Sequence, residues 1–311
     1  MDMQNADLRA WLLARAQELG FAKVGLASCE SFEGERSHLD TWFGEGRGEL
    51  LPYLDPRALL DPRSLMPTAR TALVGFFPYA RPDAVPGAAP GSLRVSRYLW
   101  GGDYHALMKA RFQRLLEGAQ ERLPGIDGRI CVDTAPILER QLAVRAGLGW
   151  QGKHTLLIAG KGGSWGFLGV LLLGVELEPD TPFPGSRCGS CTACLDACPT
   201  GALSPCLLEP RRCLSTYTLE SEAEPPPEVL AAMPEAKWVA GCDRCQEVCP
   251  WNREPLWGDP ELWGGPSPLH TLGAEDLPRN TSQWKKVTRR TGLRRVRHRH
   301  WLATLARVLG N

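Results

Sequence analysis

CGSCTACLDACPTGAL, residues 188–203, is the stretch from which the architecture can be read. Cys188, Cys191, Cys194 and Cys198, followed by Pro199, give C-x2-C-x2-C-x3-C-P, a run in which three thiolates hold one iron-sulfur cubane and the fourth reaches a second. Downstream, GCDRCQEVCPWN (residues 241–252) repeats the pattern with its first cysteine absent: Cys242, Cys245 and Cys249 precede Pro250, and position 239 is Val. Crossing the fourth cysteines, as two-cluster ferredoxins do, assigns Cys188, Cys191, Cys194 and Cys249 to one 4Fe-4S cluster. Cys198, Cys242 and Cys245 then belong to the other, whose missing ligand is Cys213 or Cys206. Cys213 is preferred, because Cys206 sits in a Pro-flanked turn soon after the first motif. Zinc is the competing occupant of C-x2-C pairs, but the two Cys-Pro endings and the x3 spacing favour clusters.

Nine of the eleven cysteines fall between 188 and 249, and residues 1–21 carry acids and arginines through their apolar periodicity, unlike a signal peptide. Thiols so crowded in a chain without an export signal predict metal ligands, a reducing compartment and a cytoplasmic protein. The most apolar stretch, residues 167–177, holds Glu176 and is too short for a membrane-spanning helix, which needs about 20 residues. With 311 residues, a 43% hydrophobic fraction and a net charge of +1, the chain predicts two or three folded domains, and its bulk charge predicts no partner.

Upstream of the cysteines, helices are expected over residues 7–20, 104–123 and 137–146, with strands over 22–27, 71–77, 130–132, 155–159 and 167–177. This alternation argues an α/β (α+β) domain over residues 1–178. A ferredoxin-like two-cluster domain follows over 179–255, within which the acidic, Pro-rich stretch 220–227 is expected to loop out. Residues 256–311 are expected to form a short helical, basic C-terminal region. The turn 160–163, GKGG, lacks the G-x4-G-K-[ST] pattern and reads as a hairpin, not a phosphate loop.

A two-cluster module fused to a domain more than twice its size implies a resident acceptor or substrate site. Asp133 ends a strand before a turn into a helix, so it is either a ligand-facing carboxyl at a strand end or a helix cap. Around it the motifs accumulate: SRYLWGGDYH (96–105), VDTAPILER (132–140), AGLGWQGKHTLLI (146–158), GSWGFLG (163–169) and both cysteine runs. Together they resemble the epoxyqueuosine reductase family over nearly the whole chain. The resemblance implies an oxidoreductase that reduces epoxyqueuosine to queuosine at the tRNA wobble position, the last step of queuosine synthesis, using cobalamin and two 4Fe-4S clusters. It implies Asp133 as proton donor, with a pKa expected to be raised by burial. It points to Ser96, Leu157, Leu168, Ser215, Asp243 and Asp133 around the corrin, with Arg57 or, equally, Arg63 beside them. No histidine lies in a D-x-H-x-x-G pattern, so cobalt is expected to lack a protein histidine. His105 is the counter-candidate, although its place at a helix start suits a structural role.

The C-terminal segment concentrates charge: Lys285, Lys286, Arg289, Arg290, Arg294, Arg295, Arg297 and Arg299 occupy fifteen residues without an acid. A solvated helix face is the ordinary reading, but the missing acidic partners and the implied tRNA substrate favour contact with a phosphate backbone. Trp284 and Trp301 flank the patch and are assigned to packing. A reductive dehalogenase, a two-cluster electron carrier and a zinc-binding RNA adaptor are the competing functions. A monomer served by an unidentified electron donor is expected.

Overall fold

A computed structural model describes residues 3–55, 59–81, 93–263 and 277–310. In chain order the helices are α1 (Met3–Glu18), α2 (Arg36–Gly44), α3 (Tyr104–Arg122), α4 (Glu139–Arg145), α5 (Ala193–Asp196), α6 (Pro227–Ala236), α7 (Arg244–Glu247), α8 (Pro260–Trp263), α9 (Thr281–Thr288) and α10 (His298–Leu309). The strands are β1 (Lys23–Ser28), β2 (Thr71–Pro78), β3 (Arg94–Val95), β4 (Gly128–Cys131), β5 (Trp150–Gln151), β6 (Leu157–Ile158), β7 (Gly166–Leu173), β8 (Leu203–Ser204), β9 (Leu207–Leu208) and β10 (Trp238–Ala240). Among the described residues no helix is long and apolar enough to cross a membrane.

The main sheet has the order β1-β2-β7-β4. Helices and strands mix as the sequence predicts, but every pairing in this sheet is antiparallel. The alternation of elements does not reveal this, because strand sense depends on which end of the sheet each long connection reaches: those from β1 to β2 and from β4 to β7 return to the end they left, whereas the one from β2 to β4 crosses to the other end. β2 is buried along its whole length because both faces are covered. Leu73 and Phe77 face α1 and α3 with Leu8, Leu12, Phe112 and Leu115, while Ala72, Val74 and Phe76 face α4 with Leu142 and Ala143. A strand packed on two sides reads as an unbroken apolar run, as TALVGFF does.

A third core joins regions far apart in sequence: Val95 and Leu99, Leu214–Ala240 residues such as Val229 and Trp238, and Trp284, Leu293, Trp301 and Leu305 from the C-terminus. β3 pairs in parallel with β10, and α10 packs on α6 and β10. Packing thus crosses the boundary read at 255/256. The stretch 220–227 does not loop out. It lies along the C-terminal segment, where Glu220 pairs with Arg295 (2.7 Å), Glu222 with Arg297 (2.6 Å) and Arg299 (2.8 Å), and Glu224 with Arg307. The acidic partners missing from the local sequence are supplied from 75 or more residues away.

Candidate functional site

The cysteines sort into two sets by the charges each thiol feels. Burial raises Cys194, and the cysteine charges it feels are those of Cys249, Cys188 and Cys191; Cys249 likewise responds to Cys188 and Cys191. Burial also raises Cys213, Cys242 and Cys245, whose cysteine neighbours include Cys198 and one another, with Cys245 feeling Cys194 of the first set as well. Cys206 is exposed, has a left-handed φ of 61° and responds to Cys188 alone among the cysteines. Among the described residues no three His, Cys, Asp or Glu side chains converge tightly enough for a single metal ion.

Beside the second set opens a cleft of about 640 Å³, walled by Cys198, Cys213, Cys242 and Cys245. Ser96, Asp133, Leu157, Leu168, Ser215 and Asp243 line the same cleft, so the described residues singled out for the corrin meet in one place, with the exception of Arg63. Arg57 lies outside the described residues. Arg63 forms a surface pair with Asp61 at 2.9 Å. The lining suits a macrocycle: leucines from β6 and β7 offer an apolar face, while Ser96, Ser215 and Asp243 put polar groups among the thiols.

Sheet register explains how Asp133 arrives there. Cys131 on β4 lies opposite Val170 on β7 as the last pair of that ladder, and two residues further the chain reaches Asp133, which lines the cleft together with Leu168 of β7. Asp133 is not a helix cap, since α4 begins at Glu139 with Leu138 as its N-cap. Asp243 is held by the facing segment: its Oδ2 accepts the Arg97 N–H at 2.7 Å, and burial pushes its carboxyl up to about 6. Two glycines permit the close approach of the walls. A Cβ on Gly241 (φ 68°) would stand 2.1 Å from Ser96 Oγ, and one on Gly163 (φ 66°) would stand 2.2 Å from Asn252 Oδ1.

Asp133 sits in a charged network that sequence reading did not find. His105 bridges two carboxylates, with Nδ1 2.8 Å from Asp103 Oδ1 and Nε2 3.1 Å from Asp133 Oδ2. Both ring nitrogens of His105 are therefore engaged by carboxylates. The His105 pKa is raised, first by the hydrogen bond to Asp133 and, against the opposing effect of burial, by Asp103. Burial pushes the Asp133 carboxyl up, but His105, the Arg295 charge and the Tyr104 hydroxyl together outweigh it. The net direction is downward, which corrects the raised value expected from the sequence. Tyr104 itself stacks on Phe167, with ring centroids 3.7 Å apart. Glu139 accepts the Asp133 backbone N–H at 2.9 Å, and burial together with the Asp133 charge pushes its carboxyl up to about 8. Arg295 and Glu220 line the cleft as an ion pair, so this arginine, assigned to RNA from its neighbours, faces the site. Tyr104, His105 and Glu139 lay within the quoted motifs, whereas Arg295 and Glu220 carried no local signal of a role here.

The other cations separate into two groups. Arg297 is paired with Glu222, whereas Lys285, Lys286, Arg289, Arg290 and Arg294 are exposed and make no ion pair among the described residues. Trp284 and Trp301 are buried against each other, with ring centroids 4.8 Å apart.

Comparison with known proteins agrees with this geometry. A family model described as a 4Fe-4S double cluster binding domain matches residues 187–252, and one described as epoxyqueuosine reductase QueG matches residues 60–134. The chain is 38% identical over 306 residues to an epoxyqueuosine reductase of Synechococcus, covering 96% of this chain and 93% of that one. It superposes with a TM-score of 0.87 and 26% identity on an epoxyqueuosine reductase crystallised with an epoxyqueuosine-modified tRNA-Tyr stem loop, covering 98% of this chain and 81% of that one. A reductive dehalogenase whose structure suggests a mechanism for B12-dependent dehalogenation shares the fold, with a TM-score of 0.51 and 18% identity over 78% of this chain and 31% of that one.

Proposed function

The chain belongs to the epoxyqueuosine reductase family, and on that premise we propose how its cleft reduces epoxyqueuosine to queuosine at the wobble position of tRNA. The observation that carries the reading is that four thiols and Asp133 wall one cleft. Cys188, Cys191, Cys194 and Cys249 would hold one cluster, and Cys198, Cys213, Cys242 and Cys245 the other. Ser96, Leu157, Leu168, Ser215 and Asp243 would hold cobalamin beside the second. When bound, the clusters pass electrons singly and cobalamin gathers them beside the substrate, a two-electron supply that no side chain can furnish.

Removing the epoxide oxygen as water needs two protons along with two electrons. Asp133 faces the cleft and gives the first to the oxygen, while His105 restores it through the 3.1 Å contact. In the structure the pair favours ionised Asp133 beside protonated His105. A nucleoside filling the cleft expels water, strengthens the desolvation already acting on Asp133 and draws the shared proton toward the carboxyl. Asp103 holds the far ring nitrogen and keeps Nε2 directed at Asp133. Lys285, Lys286, Arg289, Arg290 and Arg294 form the free phosphate-facing patch, with Arg295 and Arg297 engaged by glutamates beside it. A cytoplasmic enzyme that works as a monomer with a separate electron donor completes the reading.

The test is anaerobic turnover of tRNA carrying epoxyqueuosine with a reductant, with and without cobalamin, followed by mass analysis of released nucleosides. Loss of one oxygen only with cobalamin supports the reading. No conversion by protein shown to hold both clusters and cobalamin overturns it.

A further inference from the structure

Asp133 sits on a backbone that does not hold itself in place. Its φ of 60° is left-handed, which costs an L residue on the order of 1 kcal/mol even where a short polar side chain softens the penalty. The segment 132–138 contains neither helix nor strand. Its own backbone bonds are short-range, from Thr134 N–H to Val132 O at 2.7 Å and from Ile137 N–H to Ala135 O at 2.8 Å. Burial anchors Val132 and Ile137 at the two ends of the segment, but among the described residues the Asp133 N–H between them finds no backbone acceptor. The bond that spans it runs from the Asp133 N–H to Glu139 Oε1, six residues on. Glu139 opens α4, whose Leu142 and Ala143 are fully buried against the sheet, so its carboxylate is carried by a rigid element.

We propose that Glu139 is a positioning residue whose side-chain oxygen latches the left-handed Asp133 backbone and thereby aims the Asp133 carboxyl at His105 and the reacting oxygen. The inference rests on the reading of Asp133 as proton donor. Two features separate latch from acid. The Glu139 oxygen is already occupied by a backbone N–H, and an amide oxygen of the same reach accepts that N–H equally well. The latch therefore needs an acceptor at this distance and does not need a charge or a proton.

The experiment uses the cluster-loaded, cobalamin-loaded enzyme and four variants: Glu139→Ala, Glu139→Gln, Glu139→Asp and Asp133→Asn. Backbone hydrogen–deuterium exchange over 132–138 is read alongside kcat and KM for modified tRNA. Glu139→Ala should speed exchange within 132–138 only and lower kcat about tenfold or more, with KM within about twofold. Glu139→Gln should restore both slow exchange and most of kcat. If Glu139→Ala fails to load its clusters, Glu139→Asp, one methylene short, should show the same local loosening. Unchanged exchange in Glu139→Ala and Glu139→Asp overturns the latch, as does a Glu139→Gln enzyme as slow as Glu139→Ala. Normal turnover by Asp133→Asn would instead remove Asp133 from the chemistry, while the exchange data would still decide the latch.

Discussion

His105 holds a proton that two carboxylates attract, and its titration should govern the rate. Its raised pKa means that the contact with Asp133 contributes stability fully below the ordinary imidazole value of about 6.5 and loses it as pH rises through the higher folded value. Asp133 has the opposite sign: its pKa is lowered, so its share is present above about 3.9 and is lost as pH falls through the lower folded value. Between these limits the pair keeps one proton to pass on. We therefore expect kcat to decline on the alkaline side as His105 deprotonates. His105→Gln should lower kcat about a hundredfold and erase that alkaline limb, in keeping with loss of a general acid. A pH–rate profile of kcat in both enzymes is the check, and an unchanged limb in the variant would remove His105 from the proton path. Its place after a strand left Asp133 equally open as a ligand-facing carboxyl or a helix cap, and the sign of its shift was not legible at all. That sign comes first from His105 and then from Arg295, which lies 162 positions further along the chain.

At the scale of elements, the C-terminal segment divides one run of charge between two settings. Arg294 is exposed and unpaired among the described residues, whereas the next residue, Arg295, meets Glu220 at 2.7 Å on the cleft wall. Charge reversal should separate them. Arg294→Glu should raise KM for tRNA, leave kcat nearly unchanged and flatten the salt dependence of affinity by about one unit of slope per lost phosphate contact. Arg295→Glu would set a third acid beside Glu220 and Asp133, so it should lower kcat as well. Kinetics over a salt series in both variants decides this, and identical effects would sink the division. The sequence showed the charge run and the acidic stretch 220–227 but not that they pair, because ion pairing across 75 or more residues has no local period. The same limit explains the main sheet. Burial on both faces made TALVGFF readable as a strand, whereas the antiparallel sense of its pairing depends on where long connections return.

Across the whole molecule the cleft has two walls of different origin. One is the sheet domain, with Leu157, Leu168 and Asp133, and the other is the cysteine region, with Cys198, Cys213, Cys242 and Cys245. The second wall draws its thiols from three separated stretches, and the core beside them, with Val229, Met233 and Trp238, is shared with the C-terminal segment, while Cys198 and Cys245 sit in or beside the short elements α5 and α7. Metal ligation supplies folding free energy in such regions, because unfolded chains hold no preformed site. The cysteine spacing was legible for the same reason: ligand chemistry fixes residue type and interval, while packing tolerates many alternatives. Cluster removal should therefore do more than stop electron flow. In the cluster-loaded protein, cobalamin at about a hundred times its dissociation constant should add about 2.7 kcal/mol and raise Tm. After anaerobic removal of iron with a chelator, Tm should fall and the rise on adding cobalamin should largely vanish, because one wall of the cleft is no longer held. Thermal melts with and without cobalamin, paired with equilibrium dialysis, measure both effects. An equal rise in the cluster-free protein would mean that the sheet domain binds the corrin alone, and that the thiol wall serves only to bring electrons near.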